Sequence, residues 1–196
     1  MKKVLIYPGA FNPPHYGHVT ALELALKNHS FDEAWIIPSG KREDKIIPIS
    51  YEDRRNLGNL FIEFLKTKIP IPVKLVTDEL DDTEGKFTSE ILGKIKSQSN
   101  IEVTQLCGLD GMLKLYPKLV EWGVADTEKY IVILRPGYEL PQDFLFTLNI
   151  TMLEEIGQDV SSTQIRHMVS IGDDKYKKFL PVEIATYIKG NSLYQK

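Results

Sequence analysis

The sequence predicts an α/β fold, a doubly wound parallel sheet with a small helical region at its C-terminal end. Three observations predict it. Short apolar runs without alternation, Val4–Tyr7, Ala34–Pro38 and Tyr130–Leu134, read as strands buried on both faces, the habit of parallel sheets. Segments of helical spacing separate such runs. The first strand, helix and strand close within about 35 residues, the size of a βαβ unit. Strand and helix alternate along the rest of the chain, as a doubly wound sheet requires.

The elements follow in order. Val4–Tyr7 is a strand that stops at Pro8, and a Gly- and Pro-rich loop runs to His15. Gly17–Asn28 is helical, with Leu22, Leu24, Ala25 and Leu26 crowding one side. Ala34–Pro38 is the second strand, and the charged stretch Lys41–Ile49 is a loop. Ser50 caps a helix from about Tyr51 to Lys66, with Asp53 closing a weak capping box. Pro72–Val76 is a strand, the acidic run Asp78–Glu84 a solvated loop, and Thr88–Ser97 a helix. Val103–Cys107 and Tyr130–Leu134 are strands, with a helix holding Met112 and Leu113 between them, and Thr147–Met152 is a sixth strand. Helices at Ser162–Ser170 and Pro181–Lys189 close the chain.

With 196 residues the chain reads as one domain, 1–196, whose C-terminal helical part spans about 160–196. The 24 basic and 27 acidic residues leave a formal charge of −3, which argues against nucleic acid as a partner. Cys107 is the sole cysteine, so an intrachain disulfide and a CxxC zinc or redox site are excluded. It reads as a core residue rather than a nucleophile. The apolar start breaks at Pro8, too early for a signal-peptide core, and no run approaches the ~18 residues that span a bilayer. The expectation is a cytoplasmic protein without a membrane partner. The sequence carries no sign of oligomeric state.

The strongest chemical signal is the first loop, Gly9-Ala10-Phe11-Asn12-Pro13-Pro14-His15-Tyr16-Gly17-His18. It joins a buried strand to a helix start, where ligands bind in open α/β sheets. Free N–H groups and the positive end of the helix dipole suit phosphate there. His15 and His18, three apart, share one side of the first turn, and Gly17 is expected to leave room for a ligand beside the backbone. A zinc reading lacks ligand spacing, so no metal site is assigned. A second phosphate signal is Ser161-Ser162-Thr163 at the head of a helix, with Arg166 one turn in.

Gly9–His18 resembles the HxGH signature of the nucleotidyltransferase superfamily. Four further segments, in order, are similar to the bacterial nicotinate-mononucleotide adenylyltransferase family. They are Gly108-Leu109-Asp110, Leu134-Arg135-Pro136-Gly137, Val160-Ser161-Ser162-Thr163-Gln164-Ile165-Arg166, and the ending formed by Leu180-Pro181-Val182, Tyr187-Ile188 and Leu193-Tyr194. The resemblance spans nearly the whole length and implies a Rossmann-like nucleotidyltransferase fold. It implies adenylyl transfer from ATP to nicotinate mononucleotide, with Mg²⁺ arriving on the ATP. The catalytic residues it implies are His15, His18 and Arg166. ATP contacts would come from Gly9, Ala10, Phe11, Asn12, His15, His18, Gly108, Asp110, Ser161, Ser162, Thr163 and Arg166. Acceptor contacts would come from Lys45, Arg54, Thr88, Leu109, Leu119, Trp122 and Arg135. Lys41 and Arg42 compete with Lys45 for the basic loop position. Leu119 stands where many members carry a tryptophan that stacks on the pyridine ring. Alternatives are a sister enzyme acting on nicotinamide mononucleotide, phosphopantetheine or another phosphorylated acceptor, and a catalytically idle nucleotide sensor.

Overall fold

In the computed structural model, residues 1–40, 47–81, 93, 100–122, 128–134, 149–156 and 160–195 are described. Strands β1 (Lys2–Gly9), β2 (Glu33–Pro38), β3 (Val73–Leu75), β4 (Ile101–Gly108), β5 (Lys129–Leu134) and β6 (Ile150–Ile156) form one sheet in the order β3-β2-β1-β4-β5-β6. All neighbours are parallel. The order reverses between β1 and β4, so their carboxyl ends, at Gly9 and Gly108, flank the crevice where such sheets take ligands.

β1 explains the unbroken apolar run. Leu5 and Tyr7 face one layer, Val4 and Ile6 the other, and all four are buried. On the first side, helices α1 (Tyr16–Asn28) and α2 (Tyr51–Lys66) bring Leu22, Ala25, Leu57 and Phe61 into the main core. The C-terminal helices α5 (Ser162–Ser170) and α6 (Val182–Gly190) add Ile165, Val169, Ile184 and Ile188 to the same core. On the other side, α4 (Leu109–Glu121) lays Leu109, Met112 and Leu119 against Tyr130 and Val132. Each fully buried aliphatic or aromatic side chain contributes about 1.5–3 kcal/mol. The core therefore presses the sheet from both sides and fixes the crevice at its upper edge.

Most predicted elements form within a residue or two of their expected ends, and Tyr51–Lys66 and Ser162–Ser170 match outright. Ser50 caps α2, accepting the Asp53 N–H at 3.0 Å. The sixth strand begins three residues later than expected, at Ile150, and continues to Ile156. The acidic run needs correction: Asp78–Asp81 is a short helix, α3, and Glu79 and Leu80 are buried. Glu79 accepts the Gly40 N–H at 3.3 Å, a long-range partner that makes a buried carboxylate tolerable. The helix expected at Thr88–Ser97 lies, apart from Gly93, outside the described residues, as does the loop from Lys41 to Ile46. A 3₁₀ turn at Asp174–Phe179, not foreseen, joins α5 to α6.

The lower edge of the sheet is tied by Glu33 on β2. Its carboxylate pairs with Lys2 of β1 at 2.5 Å and Lys74 of β3 at 3.0 Å, and accepts the Trp35 indole N–H at 2.8 Å. Burial alone would raise its pKa, but those three donors outweigh burial and hold it at about 2.

Candidate active site

The loop after β1 runs from Gly9 to His15 at the crevice. Phe11 takes a left-handed backbone (φ 45°), and its ring turns down into the core, edge-on to Tyr7 at 5.4 Å and 4.8 Å from the His18 ring. Phe11 is 3% exposed, so it offers a ligand only its backbone. A Cβ on Gly9 would stand 3.1 Å from that ring, which is why a glycine ends the strand.

The loop's carbonyls are claimed from outside. Arg54 of α2 donates through Nη2 to the Ala10 carbonyl at 3.1 Å and to the Ser39 carbonyl at the end of β2. Arg166 of α5 donates through Nη1 to the Asn12 carbonyl at 2.9 Å, and Ser162 through its hydroxyl to the Pro13 carbonyl at 2.8 Å. Tyr194, far along the chain, donates its hydroxyl to the Asn12 side-chain oxygen at 2.6 Å. A phosphate has only acceptor oxygens to offer. Engaging the loop's own acceptors elsewhere removes the groups that would repel it.

His15 is the N-cap of α1 and is 1% exposed, while His18 is half-buried. The His15 N–H donates to His18 Nδ1 at 3.1 Å, and the two rings lie 3.8 Å apart. With Nδ1 accepting, the ring proton of His18 sits on Nε2, which is then a donor. Gly17 does not leave room for a ligand, as the sequence suggested. A Cβ there would stand 2.9 Å from the His15 ring and 3.0 Å from Val160. The space belongs to His15, folded back over its own helix start.

At the head of α5, Ser161 is the cap: its Oγ accepts the Gln164 N–H at 3.2 Å, and the Gln164 side chain accepts the Ser161 N–H at 2.8 Å. The Ser161 hydroxyl donates to that same Gln164 oxygen at 2.9 Å. Ser161 and Ser162 thus spend their hydroxyl protons within the protein. Thr163 Oγ1 accepts from Arg166 at 3.2 Å and keeps its own proton for a ligand. A cavity of about 560 Å³ lies beside Thr163 and Arg166, bounded also by Ser50, Asp53 and Tyr194.

Across the crevice, Gly108 caps α4 without a side chain, and Asp110 sits in the first turn. Asp110 is not the cap, because the glycine's extended backbone already opens the helix. Leu109 is fully buried, so only its backbone faces a ligand. Leu119 is 4% exposed and packs in the core with Met112, Tyr130 and Val132. Trp122 is 53% exposed and caps the far end of α4, roughly 20 Å along the axis from Gly108 at 1.5 Å per residue. The structure therefore brings neither Leu119 nor Trp122 to the crevice; the helix carries both away from it. Arg54, expected at the acceptor, is 2% exposed; its Nη2 donates to the Ala10 and Ser39 carbonyls, while its Nε and Nη1 are buried without a hydrogen-bond partner among the described residues. Lys45, Thr88 and Arg135 lie outside the described residues. Burial pushes the Cys107 thiol up to about 12, which suits a core residue and not a nucleophile. Tyr194 is the member that sequence reasoning left without a role; its signal was an aromatic residue beside Leu193 in an otherwise polar ending.

The cytidylyltransferase-like family model matches residues 6–168. A Clostridium acetobutylicum protein named a probable nicotinate-nucleotide adenylyltransferase is 30% identical over 220 residues, covering 99% of this chain and 100% of that one. One of the same name from Fusobacterium nucleatum is 30% identical over 182 residues, covering 88% and 90%. The Bacillus subtilis nicotinate-nucleotide adenylyltransferase is 27% identical over the full length of both chains. The fold is similar to that of Plasmodium falciparum nicotinic acid mononucleotide adenylyltransferase complexed with NaAD. There the TM-score is 0.79 at 18% identity, covering 99% of this chain and 98% of that one.

Proposed function

We propose, for a chain that belongs to the cytidylyltransferase-like family and within it to the nicotinate-nucleotide adenylyltransferases, that it transfers the adenylyl group of ATP to nicotinate mononucleotide. An oxygen of the acceptor's phosphate attacks the α-phosphorus of ATP. The new P–O–P linkage gives the dinucleotide, and the bond to the β-phosphate breaks to release pyrophosphate. The attacking phosphate is largely ionised at neutral pH, its second pKa being about 6, so no general base is needed. No covalent enzyme intermediate is required. Positioning and charge stabilisation carry the rate.

The observation that carries this reading is the loop at the strand-order reversal, with its carbonyls engaged from behind and donors left toward the crevice. His18 Nε2–H donates to the reacting phosphates, and His15 buttresses that ring. Arg166 spends two of its N–H groups on Asn12 and Thr163, leaving three for β- and γ-phosphate oxygens. The Thr163 hydroxyl joins it. Gly9, Ala10 and Asn12 line the phosphate path, and Gly108 and Asp110 border the ribose. Lys45, Thr88, Arg135 and the Leu109 N–H are the acceptor contacts we propose. Mg²⁺ on the ATP would neutralise triphosphate charge. It would be held mostly through phosphate oxygens and water. No described helix is long and apolar enough to cross a membrane, and we propose a cytoplasmic enzyme of small substrates.

ATP consumption measured over a panel of nicotinate mononucleotide, nicotinamide mononucleotide and phosphopantetheine tests this. Turnover is expected with the nicotinate compound in preference to the others. Preference for either of the others overturns the acceptor, and no turnover with any overturns the enzyme reading.

A further inference from the structure

Resting on ATP as the nucleotide proposed above, we infer that Tyr194 is a positioning residue, which fixes the Asn12 amide so that its nitrogen is presented as a donor to the ATP phosphates. Asn12 is 2% exposed and is gripped at two points, its carbonyl by Arg166 and its side-chain oxygen by the Tyr194 hydroxyl at 2.6 Å. An amide is planar, with oxygen and nitrogen on opposite arms. With the Tyr194 hydroxyl donating to the amide oxygen, the nitrogen lies on the arm away from the tail.

The backbone of the tail is bent to make this contact. Ser192 and Tyr194 both take left-handed conformations, φ 52° and 62°, which non-glycine residues adopt only at a cost in strain. Between them Leu193 is buried in the main core, and its N–H donates to the Ile188 carbonyl at 3.0 Å. Leu193 alone would anchor the tail. The second left-handed residue serves to aim the Tyr194 ring at the loop. Burial raises the pKa of that phenol, while Arg166 and Arg54 act in the opposite direction. The hydroxyl keeps its proton and donates it to Asn12. Tyr187 provides the contrast. Its hydroxyl donates to Asp53 at 3.0 Å and accepts from Asn56 at 2.9 Å, joining α6 to α2 without touching the loop.

Tyr194→Phe and Tyr187→Phe in the full chain test the assignment, with ATP and nicotinate mononucleotide varied separately and melting followed in parallel. Tyr194→Phe is expected to lower kcat/KM for ATP roughly three- to tenfold, the range of one lost hydrogen bond, with the acceptor KM within twofold. Tyr187→Phe is expected to lower the melting temperature while leaving the ATP constants unchanged. Unchanged ATP constants in Tyr194→Phe, or a fall shared equally by both substrates and tracking the melting temperature, overturns the inference. If the wild type does not use nicotinate mononucleotide, the proposed acceptor fails separately. ATP titration calorimetry then decides: weaker binding by Tyr194→Phe supports the assignment, and equal binding overturns it.

Discussion

Gly17 and His18 are neighbours with opposite sensitivities. A methyl group on Gly17 would meet the His15 ring at 2.9 Å and Val160 at 3.0 Å, so one of them must move. Gly17→Ala is expected to cost about 1–3 kcal/mol of stability by overpacking, read from denaturant midpoints. It is expected to lower turnover as well, since a displaced His15 ring no longer backs His18. His18→Ala removes a donor from the reacting phosphates, and with it the acceptor of the His15 N–H and a ring packed on Phe11. Turnover should fall by roughly 10²-fold, with a loss of stability of about 0.5–2 kcal/mol, the range of one lost cap. Near-normal turnover in a folded His18→Ala protein would remove that residue from the chemistry. The spacing of the two histidines was legible in the sequence. The reason for the glycine between them was not, because Val160 lies more than a hundred residues away.

At the scale of elements, α4 and the lower edge of the sheet each make a prediction. Leu119 sits in a filled core between α4 and β5, so Leu119→Trp is expected to destabilise by about 1–3 kcal/mol. The KM for nicotinate mononucleotide should not improve; a lower KM would place position 119 at the pyridine ring. Glu33 ties β1, β2 and β3 with a carboxylate whose folded pKa, about 2, is below its ordinary value near 4.5. A depressed pKa gives stability that is present above pH 4.5 and lost as pH falls toward 2. Glu33→Gln should therefore cost up to ~3 kcal/mol at pH 7, and the gap to the wild type should narrow steadily below pH 4.5 in denaturant titrations. An undiminished gap at pH 3 would mean that the stabilisation does not come from the charge.

Over the whole molecule, what could be read early was what neighbours in sequence decide. Ser50 and the apolar spacing after it define α2 to the residue, and the Ser161–Thr163 run before Ile165 does the same for α5. The strand runs follow from their apolar character, and the doubly wound parallel sheet from their alternation with helices, while the order of the strands is seen only in the fold. What escaped depends on partners distant in the chain. Glu79 is buried where Gly40 meets it across 39 positions, and Arg54 is buried against the Ala10 and Ser39 carbonyls, 44 and 15 positions away. Helix length, not residue type, decides the place of Trp122. The resemblance located the phosphate loop, but only the folded chain displays what holds it from behind.

Those holding groups come late. A ribosome finishes the loop and both histidines within the first 18 residues, and Arg54 soon after. Ser162, Arg166 and Tyr194 are made more than a hundred residues later. A nascent chain thus carries its reactive histidines for most of its synthesis on a loop that lacks three of its four fasteners. Fragments from premature stops or from trimming behind residue 160 would own the signature and not the grip.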